Sequence, residues 1–236
     1  QAFANGDEVL GLTVPYFYTR TGFEKSYQLG LVSVQADLKK DLWVMGSDAD
    51  TAGVQAQMGS IRPGVAALYA RDYIGAWDKV VAALKPANYF GDPAAFGAFT
   101  KSPSPLKVLL LELRKNTTFQ GGTGGLSKMA KTAAESRFSR VANVAKAGMA
   151  SGGNVDAGVE IAAYFKPLHD YAGDGKANAP VDEFVAALKQ AGAAVTSAKM
   201  AGGGMGSDAV QSQVARAIGS VATASTGAPP QLQGFV

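Results

Sequence analysis

The sequence contains no cysteine and only one histidine, His169. Without cysteine the chain has neither a disulfide framework nor a thiolate nucleophile. Zinc sites normally use several histidine or cysteine ligands, so a single histidine excludes that class of metal centre. A serine hydrolase would need His169 together with a nucleophile elbow, and no such elbow is present. We therefore predict no catalytic, cofactor-binding or metal-binding residue and no cofactor, and we expect a protein that is not an enzyme.

Long hydrophobic runs are also missing. The densest run, Val108–Leu111, stops at Glu112, whereas a helix that spans a bilayer needs about 20 apolar residues. The chain starts at Gln1 and shows no basic stretch followed by an apolar leader. We interpret it as a soluble piece cut from a longer protein.

Alternation of apolar and polar residues, which indicates a strand, is missing except for one short candidate at Val9–Val14. The chain instead combines 29 glycines with an alanine-rich second half, a composition that favours helices separated by glycine loops. We predict an all-α protein that follows a short irregular lead-in, Gln1–Tyr18. The predicted divisions are a helical domain at 1–120, a flexible basic segment at 121–153, and a second helical part at 154–236 that ends in a tail leading to a further domain.

Apolar periodicity and capping residues predict seven helices. Their approximate spans are 21–44, 47–84, 93–99, 104–118, 155–165, 180–200 and 208–222. Thr21 is the predicted N-cap of the first helix, with a carboxylate three residues later completing a capping box. Asp92 and Ser104, each followed by a proline, are predicted to cap later helices. Pro63 is predicted to kink or split the second helix, and Pro167 is predicted to close the fifth.

Aromatic residues dominate the predicted core. Tyr69, Tyr73 and Trp77 recur every four residues, which is more typical of buried packing than of a binding surface. The aromatic stretch Val14–Phe23 must also find a packing partner. Other residues predicted to face inward are Tyr27, Leu31, Val34, Val65, Leu68, Leu106, Leu109, Leu110, Leu113, Val159, Ile161, Phe165, Phe184, Val185, Leu188 and Val195.

Positive charge is concentrated in the middle of the chain, where nine basic residues between Lys101 and Lys146 accompany two acidic ones. We interpret this band mainly as a solvated helix face. Nucleic acid is not an expected partner, because aromatic side chains for base stacking are nearly absent there. The segment Leu126–Ala150 has few large apolar residues, and we hypothesise that it is a mobile or assembly-contacting element.

Two other stretches resemble ligand-binding motifs, but each lacks part of the motif. Gly121–Gly125 follows a predicted helix and lacks the lysine spacing of a phosphate loop. The acids Asp41, Asp48 and Asp50 lack the continuation of a calcium loop, so we interpret them as helix caps and first-turn charges.

Three stretches, in this order along the chain, resemble segments of one known protein family. Val14–Phe23 resembles the family's Pro-aromatic-Thr segment before a Gly-aromatic helix start. Leu68–Asp78 is similar to its Tyr-x-x-Asp-Tyr-Ile-x-x-Trp-Asp helix. Lys101–Leu106 resembles its Ser-Pro-Leu helix opening, with Thr117-Thr118 at the end of that helix, and Trp43–Gly46 fits the end of the first helix. The family that these stretches resemble is the IcmF/TssM family of type VI secretion.

The resemblance implies an inner-membrane protein with a large periplasmic portion that acts as a scaffold between the two membranes. This chain would be a helical part of that portion, with a membrane anchor upstream of Gln1 and a β-rich region beyond Val236. The implied partners are an outer-membrane lipoprotein, an inner-membrane subunit and further copies of the same protein. Val14–Phe23 would be the lead-in just outside the anchor.

Two alternatives stay open at the level of sequence. One is a helical enzyme or ligand-binding domain with a cleft near His169. The other is a cytosolic helical adaptor, which an upstream transmembrane segment would argue against.

Overall fold

The computed structural model describes residues 1–34, 37, 51–119, 156–175, 178–200 and 208–236. Within these ranges the backbone is mostly helical, and the one β contact is an isolated antiparallel bridge between Phe3 and Pro86. The all-α prediction is therefore confirmed. The interpretations of Asp41, Asp48, Asp50, Trp43–Gly46, Gly121–Gly125 and Leu126–Ala150 concern residues outside the described part.

Eight helices occur in the described residues. They are α1, Gly6–Gly11; α2, which starts at Arg20–Gly22, passes through a π-helical turn at Phe23–Tyr27 and continues over 28–34; α3, Thr51–Ala82; α4, Pro93–Phe99; α5, Pro105–Thr117; α6, Ala157–Ala172; α7, Pro180–Met200; and α8, Asp208–Thr226. Short 3-10 turns lie at Tyr16–Tyr18 and Pro230–Leu232.

Two of the three predicted helix caps are confirmed. The Asp92 carboxylate accepts hydrogen bonds from the backbone N–H groups of Ala94 and Ala95 at 2.9 and 3.2 Å, and the Ser104 hydroxyl accepts one from the N–H of Lys107 at 3.2 Å. Each side chain satisfies donors that the first helical turn leaves without partners.

The predicted cap of α2 is wrong by two residues. Thr19, with an extended backbone, accepts a hydrogen bond from the Gly22 N–H at 3.1 Å, whereas Thr21 lies inside the first turn and is exposed. The capping-box spacing around Thr21 was therefore coincidental. The helix starts earlier because Thr19, the residue after the 3-10 turn at Tyr16–Tyr18, already has the extended backbone of an N-cap.

The lead-in Gln1–Tyr18 is not simply irregular, and no strand forms at Val9–Val14. α1 occupies Gly6–Gly11 instead. Asn5, just before α1, donates from its side chain to the carbonyl oxygen of Ala83 at 2.7 Å and accepts from the N–H of Lys85 at 3.2 Å. These contacts are 78 and 80 residues apart in sequence, so no local pattern could have indicated them.

Two prolines lie inside helices that they were predicted to split or close. α3 continues from Thr51 to Ala82 with Pro63 within it, and α6 continues to Ala172 past Pro167. An internal proline costs roughly 3 kcal/mol or more in a helix interior. Buried residues beyond each proline offset this cost, since Ala66, Tyr69, Ala70 and Tyr73 follow the first, and Leu168, Tyr171 and Ala172 follow the second.

The described residues form two compact units that interleave along the chain. Unit 1 consists of Gln1–Thr13, Trp77–Lys115 and Phe165–Val236, and unit 2 consists of Val14–Ala76 and Asn116–Tyr164. The predicted boundaries at 120 and 153 fall outside the described residues and stay predictions.

The C-terminal stretch predicted as a tail is packed into unit 1. Leu232 is fully buried, Ala228 and Phe235 are nearly so, and the Phe235 ring lies 5.8 Å from the rings of both Phe3 and Phe99. Burial of a phenylalanine side chain contributes about 2 kcal/mol or more. The stretch therefore belongs to the core of this unit.

Most residues predicted to face inward are buried or half-buried, including Tyr69, Tyr73 and Trp77. The exceptions are Val34, Val65, Leu68 and Val159, each at least 38% exposed. The apolar helix faces that we predicted were too wide at these positions. A helix that packs on one side only buries a narrower face than the prediction assumed.

Candidate functional site

Two of the family-like stretches, Val14–Phe23 and Leu68–Asp78, meet in an aromatic cluster of unit 2. Its members are Phe17, Tyr18, Phe23, Tyr27, Tyr69, Tyr73 and Phe119. Tyr69 lies at the centre, stacked on Tyr27 with ring centroids 3.9 Å apart and meeting Phe17 edge-on at 5.0 Å. Such pairs are worth roughly 0.5–1.5 kcal/mol each beyond the area they bury.

Tyrosine hydroxyl groups fix this cluster to the backbone. Tyr69 donates to the carbonyl oxygen of Phe17 at 2.6 Å, and Tyr73 donates to that of Asn116 at 2.7 Å. The backbone N–H of Arg20 donates to the side-chain oxygen of Asn116 at 3.3 Å. The first stretch, the α3 stretch and the end of α5 are therefore joined directly.

Gly22 allows the backbone of Tyr16 and Phe17 to pass close to its own Cα atom. A methyl group added there would overlap the carbonyl group of Tyr16 and lie 2.9 Å from the Cα atom of Phe17. The same Tyr16 carbonyl oxygen accepts a hydrogen bond from the Thr19 hydroxyl at 2.7 Å. The Gly-aromatic sequence is thus a steric requirement, since only glycine fits beneath this turn.

Two tyrosines of the cluster, Tyr27 and Tyr69, have raised pKa values. Burial, reinforced by the negative charge of Asp156, raises the pKa of Tyr27 to about 12. Burial also raises the pKa of Tyr69, and the neighbouring Tyr73 adds to the shift. Phenols with raised pKa values do not supply a base near neutral pH, so Tyr27 and Tyr69 stay protonated there.

His169 lies half-buried in the last turn of α6. Burial lowers its pKa to about 4, with a further contribution from the Arg114 guanidinium that outweighs the opposing Asp170. Arg114 also donates to the carbonyl oxygen of Gly173, which follows the helix with a φ of 70°. His169 and Arg114 therefore lie at the C-terminal end of α6, where Arg114 satisfies a backbone carbonyl group.

Two surface cavities lie along α7 and α8, and His169 lines neither. The larger, of about 780 Å³, includes Glu183, Ala187 and Arg216 in its wall. In the part of the chain that the structure describes, no group of three or more histidine, cysteine or acidic side chains is placed to hold a metal ion. The cleft alternative near His169 thus gains no support from the cavities.

Sequence reasoning missed one buried ion pair. Lys107 Nζ lies 2.6 Å from Asp182 Oδ2, and the lysine side chain is only 8% exposed. Asp182 also accepts a hydrogen bond from the N–H of Ala179 at 3.1 Å, so it both caps α7 and neutralises Lys107. A signal was present, because a spacing of three residues makes Lys107 a neighbour of the inward Leu110 on the helix surface.

Comparison with known proteins decides the family. Residues 1–118, half of the chain, match the family described as "IcmF-related: Intracellular multiplication and human macrophage-killing". The chain belongs to the IcmF-related family. The match spans Val14–Phe23, Leu68–Asp78 and Lys101–Leu106, so the resemblance based on these stretches is confirmed.

A relative of the IcmF-related chain is the "Type VI secretion system component TssM1" of Pseudomonas aeruginosa. The two are 25% identical over 235 residues, which is 93% of this chain and 21% of the relative. The chain therefore spans about a fifth of the length of that protein. No solved structure matches the chain. None of the helices in the described ranges combines the length and the hydrophobicity of a membrane span.

Proposed function

We propose that this chain is the helical periplasmic portion of an inner-membrane type VI secretion protein. Its role would be that of a scaffold, which helps to bridge the inner and outer membranes through protein–protein contacts and performs no catalysis. The observation that carries the proposal is the family match over residues 1–118, together with similarity to TssM1 over nearly the whole chain.

The packing of unit 2 supports a structural role. The residues that carry the family match are used to hold elements together: Tyr69 reaches the backbone of Phe17, and Tyr73 reaches the backbone of Asn116. Hydrogen bonds that join side chains to a distant part of the backbone in this way rigidify a fold. A scaffold needs such rigidity, whereas an enzyme would need an accessible reactive group.

An exposed apolar stripe on α3 supports contact with another subunit. Ile61, Val65 and Leu68 are 61%, 38% and 52% exposed, and spacings of four and three residues place them on one helix face. Contiguous exposed apolar side chains mark protein–protein contacts more often than isolated ones do. The expected partner is a neighbouring subunit of the secretion complex.

Cysteine labelling tests the compartment, because the chain itself has no cysteine. Ala222→Cys places a thiol at an exposed position of α8. In cells with a permeabilised outer membrane, a maleimide that cannot cross the inner membrane should label this variant of the full-length protein. Ala191→Cys, at a fully buried position, is the matched control and should label only after denaturation. Protection of Ala222→Cys until the inner membrane is broken would support the cytosolic adaptor.

Affinity purification tests the subunit contact. Leu68→Ser in the full-length protein should reduce the recovery of the other membrane-complex subunits, while Arg71→Gln, whose side chain is 72% exposed on the same helix, should not. Equal recovery with both variants would remove the stripe from the proposed interface.

A further inference from the structure

The two surface cavities of unit 1 join into one groove along α7 and α8. The larger, of about 780 Å³, and the smaller, of about 590 Å³, share Arg216 and Ser220 as wall residues. Glu183, near the start of α7, lines the larger cavity with the end of α8, whereas Gln190 lines the smaller cavity with an earlier part of α8. The two helices therefore run antiparallel. We call the surface formed by both cavities the hairpin groove.

The second helix of this pair is weakly packed. α7 has eight buried residues, among them Phe184 and Leu188, whereas none of the 19 residues of α8 is buried. A helix in a protein obtains most of its stability from packing an apolar face. α8 also carries only two charged side chains, Asp208 and Arg216, so it lacks the charged faces of a helix that is solvated all round. These features favour a helix that another protein surface covers.

The dimensions of the groove suit helices. Ala187 and Ala194 in its walls are only 8% and 5% exposed, and Gly219 lines it from α8. The distance between packed helix axes depends on the side chains at the contact, so such small residues admit a close approach. The lining residues of α7 extend from Glu183 to Ser197, about 20 Å at 1.5 Å for each residue. That length fits a helix better than a compact ligand.

The charges of the groove are complementary to themselves. Glu183 and Arg216 are the only charged residues among those that line it. Arg216 lies where the two cavities meet and Glu183 lines the larger cavity alone, so the two charges are separated along the groove. Neither side chain belongs to an ion pair within the described residues. A second copy turned end to end presents each charge to its opposite.

We propose that the hairpin groove is an interface between two copies of this chain, related by a twofold axis that places Arg216 of each copy against Glu183 of the other. The axis passes near Ala187 and Ser220, which lie between the two charges in the larger cavity. One pair of residues then supplies two identical ion pairs, as in any isologous contact. Two antiparallel helix pairs that pack groove to groove form a four-helix bundle.

This inference rests on the proposed function for its biological role, since a second copy is one of the subunits that such a scaffold would contact. Self-association itself needs neither a membrane nor another secretion subunit. A failure of the labelling experiment on compartment would leave the groove contact intact, and a failure of the groove contact would leave the compartment assignment intact.

Exchange of charges tests the contact, with sedimentation of the 236-residue chain as the measurement. The wild-type chain should form a dimer. Glu183→Arg and Arg216→Glu each place like charges at both contacts of a homodimer, so each variant alone should self-associate about tenfold or more weakly. A mixture of the two variants restores two opposite-charge pairs in the mixed dimer and should recover the wild-type affinity. The double variant should recover it as well.

Lys189→Glu is the matched control, because Lys189 is an exposed residue of α7 that lines neither cavity. It changes the net charge as much as Arg216→Glu does, and it should leave the dimer unchanged. A wild-type chain that stays monomeric, or a mixture that associates as weakly as the single variants, would overturn the inference. So would a loss in Lys189→Glu equal to that in Arg216→Glu, since the effect would then follow net charge alone.

Discussion

The phenol oxygen of Tyr73 lies 2.7 Å from the carbonyl oxygen of Asn116, a residue 43 positions later. The contact joins the middle of α3 to the end of α5 within unit 2. Tyr73 is fully buried, so the hydroxyl group cannot exchange this partner for water. The family-like stretch Leu68–Asp78 and the end of α5 therefore pack together.

Tyr73→Phe should destabilise the protein by about 1–2 kcal/mol, because the Asn116 carbonyl oxygen would lose this buried donor. The free energy of unfolding from urea denaturation is the measurement. Tyr171→Phe is the matched control: Tyr171 is equally buried, but its hydroxyl group has no hydrogen-bond partner within the described residues. That variant should be neutral or slightly stabilising. Equal losses in both variants would contradict the assigned role of the Tyr73 hydroxyl.

Gly22→Ala should cost several kcal/mol, because the added methyl group meets the backbone of Tyr16 and Phe17, which cannot rotate away. Gly30→Ala is the control, since Gly30 lies in the helical segment 28–34 with nothing within 4 Å of the added methyl. There the substitution should stabilise by about 0.5–1 kcal/mol. Thermal unfolding of the two variants should shift in opposite directions, and shifts of the same sign would refute the steric argument.

Asp182→Ala should destabilise by about 3 kcal/mol, since it removes the carboxylate that lies 2.6 Å from the buried Lys107 ammonium group. The double variant Lys107→Met with Asp182→Ala should recover most of that loss. Lys166→Ala provides the comparison, because the Lys166–Asp170 pair has the same 2.6 Å distance but side chains 68% and 65% exposed. Its effect should stay within about 0.5 kcal/mol. A double variant as unstable as Asp182→Ala would show that the charge is not the cause.

Stability should fall between about pH 6.5 and pH 4 because of His169. Its folded-state pKa is lowered to about 4 from 6.5, mainly by burial, so the unfolded chain binds a proton more readily in that window. Protonation therefore favours unfolding as the pH falls. His169→Gln should flatten this part of the stability curve by a measurable fraction of the wild-type slope. An unchanged slope in the variant would assign the pH dependence to other groups.

Local signals in the sequence were sufficient for helices whose boundaries rest on adjacent residues. Asp92 before Pro93 and Ser104 before Pro105 predicted α4 and α5 correctly, because a cap acts over three residues. The prediction that Tyr69, Tyr73 and Trp77 are buried was also correct, since their spacing defines one helix face. The predicted split at Pro63 and the predicted helix end at Pro167 were wrong, because distant packing outweighs a local penalty.

For the aromatic cluster, too, some features could be predicted from local sequence and others could not. The family-like stretches were visible as motifs, but their mutual contacts were not, because Tyr69 and Phe17 are 52 residues apart. Gly22 appeared in the sequence only as one member of a motif. The Tyr16 carbonyl group that excludes any side chain at Gly22 is identifiable only in the folded backbone.

The sequence by itself determined the fold class, the family and the absence of cysteine chemistry, because composition, periodicity and short motifs are local properties. The tertiary structure alone decided that α3 continues through Pro63 and that Phe235 is a core residue. The physical reason is common to both. Each depends on free energy from contacts between residues far apart in the chain, and such contacts leave no regular pattern in the sequence.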